Sequence, residues 1–322
     1  MTDMLSSTWA ICHELSFYGV SDITPDIVFG LGASAWYRFE MRQADSNVSV
    51  LRFAHAARMS RALSALNICA PCFNILTAEA HEYLWDALVD GGRAIIVVDG
   101  ACLQGLSEEE QGAYSFPVDY AVVVTEVMKE PTMLRLCGPW SGGERIVTHD
   151  ELHKCWFFHR GDVSSATLML HKIREVRWDV EAALRFALSR YATQMQSNHS
   201  GLGGTGLRAL QCLMKRLEAG DERVLMTTAR CASCDGGLSL CRDQQAAFLR
   251  KAGELLGEDV YLDLAEEMEC CALLWQGLMG DVLRGASCHE AAPGIIEQVF
   301  QRETSVVDVI AQLSRNGALC NA

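Results

Sequence analysis

Over the first 160 positions, the alternation of apolar and polar residues predicts a mixture of short helices and buried strands. Residues 78–90 place apolar side chains at helical spacing, and a Gly-Gly pair supplies the stop. Residues 94–99, 120–125 and 132–137 are apolar runs, which are typical of strands buried on both faces. Thr148 is predicted to cap a helix that begins directly after it. This part of the chain is therefore predicted to be α+β.

After about residue 160 the pattern changes to one of helices alone. Apolar residues recur at helical spacing over 176–195, 206–217, 244–256 and 261–283. The strand-like runs end before residue 160, so we place a domain boundary there. The sequence predicts an α+β domain over 1–160 followed by an all-α domain over 161–322.

The first 32 residues predict a short apolar helix with hydroxyl residues at its start and glycines after its end. Ser6 and Ser7 begin this helix, Gly19 ends it, and Gly30 and Gly32 interrupt the segment that follows. The last two glycines are predicted to be turn residues with positive φ. A side chain at a helix N-terminus lies among unpaired backbone N–H groups, which stabilise a developing anion. Ser6 is therefore a candidate nucleophile.

The composition is that of a globular protein and narrows the choice of partners. The chain has 322 residues, of which 50% are hydrophobic and 21% charged, so it is able to bury a large core. Its formal net charge of −14 argues against a nucleic-acid ligand, because such sites depend on clustered Lys and Arg. The sequence shows neither a signal segment nor an apolar run of about 18 residues. We therefore expect a cytoplasmic protein that does not bind membranes.

The 14 cysteines are scattered through the chain, and most are predicted to be small buried residues. Two pairs have a metal-like spacing: Cys69 with Cys72, and Cys231 with Cys234. A structural zinc site needs four ligands, and neither pair has a second matching pair nearby. We therefore predict no metal site and no cofactor.

An aromatic run after the second glycine segment is a candidate wall for a substrate cleft. Trp36 and Tyr37 lie in this run. Their alternative role is packing between domains, because large aromatic side chains chiefly supply buried area. Arg242, near the start of a predicted helix, is interpreted as a residue that braces the domain interface rather than one that binds a ligand.

Three stretches of the sequence, taken in order, resemble the butirosin biosynthesis protein H family. The first runs Ser-Thr-Trp-Ala-Ile from residue 7, keeps a Gly-Val pair at 19–20 and continues as Ile-Val-Phe-Gly-Leu-Gly-Ala over 27–33. The second, 88–99, joins a helix end, a Gly-Gly turn and a strand that ends in Asp. The third, 237–249, carries a glycine, arginine and Phe-Leu signature. Together they span nearly the whole chain.

This resemblance implies a papain-like N-terminal domain with catalytic Cys, His and Asp, followed by a helical C-terminal domain. It also implies an acyltransferase of secondary-metabolite and antibiotic biosynthesis. Such an enzyme moves an acyl group from a carrier-protein thioester to an amine: the thiolate attacks, the histidine activates it and backbone N–H groups hold the oxyanion. The expected partners are an acyl-carrier protein or other thioester donor, and a small amine acceptor. The long apolar helices leave room for a homodimer.

The sequence departs from the family at each catalytic position. Ser6 stands where the family has its cysteine, and Leu5 where it has the preceding histidine. The position of the base falls at Asp119 or Tyr120, and that of the third member at Gly138. The predicted catalytic residues are therefore Ser6, Asp119 and Tyr120. The predicted substrate-binding residues are Ser7, Gly30, Gly32, Trp36 and Tyr37.

Two functions follow from this departure. The first is an acyl-transfer enzyme, either with Ser6 as its nucleophile or with a cleft that only orients an amine against an acyl thioester. For this function we expect Ser6 to be solvent-accessible at the floor of a pocket. A catalytically inactive relative, acting as a binding or scaffold subunit, predicts a filled site with Leu5 and Tyr120 closing it. Cys12 and His13 are not predicted to form a dyad, because successive side chains on a helix point about 100° apart.

Overall fold

The computed structural model describes residues 5–32, 37–41, 49–53, 56–68, 72–74, 77–89, 91–99, 103, 119–128, 133–139, 143–156, 166–170, 176, 178–197, 204–221, 223–234, 237–285 and 290–320. The chain divides into two compact units. Unit 1 contains residues 1–28 and 55–178, and unit 2 contains residues 29–54 and 179–322. The chain therefore enters unit 2 early, returns to unit 1 and ends in unit 2.

The described elements, in chain order, are α1 (Ser6–Phe17), α2 (Pro25–Leu31), β1 (Tyr37–Met41), β2 (Ser49–Phe53), α3 (Ala56–Ala65), β3 (Cys72–Asn74), α4 (Thr77–Val89), β4 (Arg93–Asp99), β5 (Asp119–Met128), β6 (Met133–Cys137), β7 (Glu144–Thr148), α5 (His149–Trp156), β8 (Ala166–Leu170), α6 (Val180–Gln196), α7 (Leu207–Glu218), α8 (Arg223–Cys234), α9 (Gly237–Leu256), α10 (Val260–Leu283) and α11 (Ala292–Cys320).

Unit 1 is built on an antiparallel sheet with the strand order β3-β8-β4-β5-β6-β7. The central strands β4 and β5 are buried on both faces over residues 94–98 and 121–124, which confirms the prediction for these apolar runs. Helices α4 and α5 pack on the face that carries Ala94, Ile96 and Val98. Successive side chains of a strand point to opposite faces, so Arg93 belongs to the other face. Helix α1 packs on that second face, where Glu14 pairs with Arg93.

Two predicted helix ends in unit 1 are confirmed. Helix α1 is followed by Gly19, whose φ is 78° and is therefore in the left-handed region that favours glycine. Helix α5 begins directly after Thr148, whose Oγ1 accepts the Glu151 N–H at 3.2 Å. The Glu151 carboxylate in turn accepts the Thr148 N–H at 2.7 Å, which completes a capping box.

Unit 2 combines helices α6–α11 with the antiparallel hairpin β1–β2. Helices α9 and α10 pack against each other, and Gly257, with φ of 68°, lies in the short turn between them. The hairpin is tied to the turn before α7 by two hydrogen bonds: Phe39 N–H to Gly204 O at 2.8 Å and Gly206 N–H to Tyr37 O at 2.9 Å. Among the described helices, none has both the length and the apolar character needed to cross a bilayer.

The structure confirms the α+β class but corrects the predicted division of the chain. Strand β8 lies beyond residue 160 and pairs with β4 of unit 1, so the region after 160 is not helical throughout. The hairpin 37–53 precedes residue 160 but belongs to unit 2, which is therefore not all-α. Both errors arise from partners that are distant in sequence: β8 pairs with β4, and the hairpin belongs to unit 2 through contacts such as the Phe39 N–H to Gly204 O hydrogen bond.

Candidate functional site

Ser6 is the first residue of α1, as predicted, but its side chain is buried. Only 1% of Ser6 is exposed, and Leu5 before it and Ser7 after it are equally enclosed. The Ser6 Oγ accepts a hydrogen bond from the Ala121 N–H of β5 at 3.0 Å. The start of α1 therefore contacts β5, the strand that carries the two candidate bases. In this geometry the hydroxyl satisfies a buried backbone donor of the sheet, as buried polar groups generally require.

The two candidate bases lie at the start of β5. Asp119 pairs with Asp99 and Tyr120 with Val98 in the β4–β5 ladder. Tyr120 packs against the core cluster formed by α4, α5 and one face of the sheet. Helix α1 occupies the opposite face, so the ring of Tyr120 and the helix that carries Ser6 lie on different sides of the sheet. Tyr120 therefore does not close the site at the start of α1, contrary to the prediction for an inactive relative, whereas Leu5 is buried there. The side chain of Asp119 lies outside the described part of the structure.

The third family position, Gly138, is a buried residue in the turn between β6 and β7. Its N–H donates to the Gly143 carbonyl at 3.2 Å. Glycine has no side chain that could orient a base, so this position contributes backbone geometry alone.

An ion pair that the sequence analysis missed holds α1 on the sheet. The Arg93 Nε lies 2.9 and 3.0 Å from the two carboxylate oxygens of Glu14, and Nη2 lies 2.8 Å from Oε1. Glu14 is fully buried, and the Arg93 guanidinium also lies 3.9 Å from the centroid of the exposed Phe17 ring. A guanidinium that donates to both oxygens of a carboxylate fixes the orientation of the two side chains and also compensates their charges. The available signal was the spacing of this glutamate, which stands four residues after Ala10 and three after Ile11 and therefore on their apolar side of α1.

The outer face of α1 forms an open pocket of about 450 Å³, lined by Trp9, Cys12, His13, Ser16 and Phe17. The His13 ring lies 4.8 Å from the Trp9 ring, and His13 Nδ1 lies 3.3 Å from the Glu14 carboxylate. Burial, together with the nearby Asp26 carboxylate, raises the pKa of the Cys12 thiol to about 12. The thiolate is the nucleophilic form of cysteine, so Cys12 is not activated in this pocket.

The remaining predicted substrate-binding residues do not share one unit. Ser7 belongs to unit 1, whereas Gly30, Gly32 and Tyr37 belong to unit 2. Trp36 lies outside the described residues.

The two glycines do not have the predicted role. Gly30 lies inside α2, and neither Gly30 nor Gly32 is among the described residues with positive φ. The need for glycine at position 30 is steric, because an added Cβ would lie 1.9 Å from an atom of the Phe248 ring.

Tyr37 is a core residue of unit 2 rather than the wall of a cleft. Its hydroxyl donates to Glu303 Oε1 at 2.5 Å and accepts from Trp275 Nε1 at 3.0 Å. The Arg242 guanidinium lies 4.0 Å from the centroid of the Tyr37 ring and forms a forked pair with Glu303, at 2.7 and 2.8 Å. Burial, above all, raises the pKa of Tyr37 well above its ordinary value. Arg242 therefore packs in the interior of unit 2 with Glu303 as its partner, whereas the sequence interpretation placed it at the domain interface.

Within the described side chains, no group of three or more His, Cys, Asp or Glu residues is placed to hold a metal ion. The side chains of the Cys69–Cys72 and Cys231–Cys234 pairs lie outside that part of the structure.

Comparison with known proteins finds no matching family model and no significantly similar curated protein.

Proposed function

We propose that this protein is a catalytically inactive relative of the butirosin biosynthesis protein H family, with a papain-like first unit, and that it acts as a binding or scaffold subunit. The observation that carries the proposal is the environment of Ser6, which is 1% exposed and accepts the Ala121 N–H. A nucleophile must reach the carbonyl of its substrate and must pass its proton to a base. A buried hydroxyl that accepts a hydrogen bond from a backbone N–H of the sheet is suited to neither task.

The other candidate groups support the same proposal. The Tyr120 ring packs on the face of the sheet opposite α1, and Gly138 has no side chain. Cys12, the thiol in the same helix, has a pKa of about 12 and is protonated at neutral pH.

Acyl transfer from a carrier-protein thioester to an amine, with Ser6 as nucleophile, is the second candidate function. It is favoured by the position of Ser6 as the first residue of α1. Unpaired backbone N–H groups at a helix N-terminus are suited to stabilise an oxyanion. This alternative requires the segment around Leu5 and Ser6 to open before the substrate binds.

Incubation of the full chain with a panel of acyl-carrier thioesters, followed by intact-mass measurement and peptide mapping, separates the two functions. We expect no adduct on Ser6, and the same pattern of added masses for wild type, Ser6→Ala and the control Ser16→Ala, which removes an exposed hydroxyl from the same helix. Circular dichroism verifies that both variants are folded. An adduct that maps to Ser6, disappears in Ser6→Ala and persists in Ser16→Ala would overturn the proposal in favour of the acyltransferase.

A further inference from the structure

The pocket on the outer face of α1 has a volume of about 450 Å³, which is within the range of small-molecule sites. Its lining residues form two rows along the helix. Trp9, His13 and Phe17 follow one another at intervals of four residues in the first row, here called the aromatic row, and Cys12 and Ser16 form the second. Side chains four residues apart on a helix are neighbours, so both rows lie on the same side of α1.

The aromatic row offers ring surface that is accessible to water. The Trp9 ring lies 4.8 Å from the His13 ring, at an interplanar angle of 32°. Phe17 is 60% exposed, and the Arg93 guanidinium lies over its ring at 3.9 Å from the centroid. Aromatic rings pair with one another in stacked or edge-to-face arrangements, which stabilise a contact beyond the area that it buries. The aromatic row therefore favours a planar aromatic ligand over an aliphatic one.

The contacts of His13 decide which of its ring nitrogens carries a proton. Nδ1 lies 3.3 Å from Glu14 Oε1 and 3.5 Å from Arg93 Nη2. The same Nη2 lies 2.8 Å from Glu14 Oε1, so its closer contact is with the carboxylate. An ionised carboxylate only accepts hydrogen bonds, and we therefore assign the proton of the neutral imidazole to Nδ1.

The other nitrogen of His13 is the one that a ligand meets. With the proton on Nδ1, Nε2 is a hydrogen-bond acceptor. In the part of the chain that the structure describes, Nε2 makes no hydrogen bond. The His13 side chain is 32% exposed and lines the pocket, while its Nδ1 faces Glu14. A ligand that contacts Nε2 must therefore donate a hydrogen bond to it.

We propose that this pocket binds a planar aromatic molecule that carries a hydrogen-bond donor, such as a phenol or an indole. The ring of the ligand packs against Trp9 and Phe17, and its O–H or N–H donates to His13 Nε2. The aromatic row selects the ring, and the imidazole selects the donor over a methylated analogue. The proposal goes beyond the inactive-subunit function and does not depend on the site at the start of α1.

Titration calorimetry of the full chain with indole and 1-methylindole tests both parts of this recognition. The two probes share the ring system, but only indole carries an N–H. Indole is expected to bind with a saturable isotherm, about three- to tenfold more tightly than 1-methylindole, because the methylated probe loses one hydrogen bond. In His13→Phe, which keeps a ring beside Trp9 but removes the acceptor, this preference is expected to disappear. The matched control His149→Phe, at a histidine of α5 whose side chain is 42% exposed, is expected to retain it.

A second variant tests the aromatic row. Trp9→Leu keeps an apolar side chain but removes the indole ring, so we expect it to bind both probes about three- to tenfold more weakly. The matched control Trp85→Leu, at a tryptophan of α4 that is 36% exposed, is expected to leave both affinities unchanged. Circular dichroism verifies that all four variants are folded.

The proposal is overturned if indole shows no saturable binding, or if 1-methylindole binds wild type as tightly as indole does. It is also overturned if the preference for indole persists in His13→Phe, or if Trp9→Leu binds both probes with wild-type affinity.

Discussion

Replacing Glu303 by Gln is predicted to destabilise unit 2 strongly. Arg242 and Glu303 are both 0% exposed, and their forked pair is the direct compensation for each charge. Gln keeps the shape of the side chain and an oxygen that accepts the Tyr37 hydroxyl, but it leaves the guanidinium without a counter-charge. Removing one member of a buried ion pair costs about 3–5 kcal/mol of unfolding free energy. We expect a loss of that size.

The chain offers a matched control for this variant. Arg250 of α9 and Glu269 of α10 also form an ion pair, at 2.5 Å, but their side chains are 41% and 42% exposed. Because exposed pairs contribute about 0–1 kcal/mol, Glu269→Gln is expected to change the unfolding free energy by no more than that. The two variants make the same chemical change at different burial.

Urea unfolding, followed by far-ultraviolet circular dichroism, measures the unfolding free energy of both variants. The slope of this free energy against urea concentration should equal that of wild type, because a change in slope would indicate a change other than stability. A double-mutant cycle with Arg242→Met adds a second test. The double variant is expected to be less destabilised than the sum of the single variants by about 1–3 kcal/mol, because it leaves no unpaired charge. A Glu303→Gln variant as stable as Glu269→Gln would refute this reasoning.

Three further predictions concern local geometry. Gly30→Ala is expected to destabilise the protein by about 1–3 kcal/mol in urea unfolding, because its Cβ would overlap the Phe248 ring. The control is Gly277→Ala, at a helical glycine whose added Cβ would have no atom within 4 Å, and it is expected to be neutral or stabilising. Thr148→Ala removes the cap of α5 and is expected to cost about 0.5–2 kcal/mol in the same assay; an unchanged midpoint would contradict the cap. Cys12 has a pKa of about 12, against an ordinary 9.0, so little of it is thiolate at pH 8. We expect it to react with iodoacetamide about thirty- to sixtyfold more slowly than an unperturbed thiol, after allowance for the higher nucleophilicity of the more basic thiolate. Mass spectrometry follows the reaction. Labelling at the rate of a free thiol would contradict that pKa.

Features encoded by neighbouring residues were predictable from the sequence. The sequence predicts strand β4 because residues 94–98 are consecutively apolar, and the structure shows them buried on both faces of the sheet. The start of α5 was recognised because Thr148 and Glu151 stand at the spacing of a capping box.

Features that depend on distant partners were not predictable in this way. Glycine is required at position 30 because of the Phe248 ring, and Glu14 is buried because it pairs with Arg93. Each partner lies far along the chain. The same holds for β8, which is a strand because it lies between β3 and β4.

The candidate site shows the same division. The sequence placed Ser6 at the start of a helix, and the structure agrees. The burial of Ser6 depends on how α1 packs against β5, which no local pattern reveals. The hydroxyl at the helix start therefore suggested a nucleophile. In the packed structure this hydroxyl instead accepts a hydrogen bond from the Ala121 N–H.

The central claim is that the Ser6 hydroxyl serves the sheet as the acceptor for the Ala121 N–H. Native-state hydrogen exchange of the Ala121 amide, in wild type and in Ser6→Ala, tests it most directly. Loss of the acceptor leaves a buried donor unsatisfied, which costs about 1–3 kcal/mol. We predict a protected amide in wild type and exchange about tenfold to a hundredfold faster in Ser6→Ala, with the Val123 amide much less affected. An Ala121 amide that is unprotected in wild type, or unchanged in the variant, would contradict the claim.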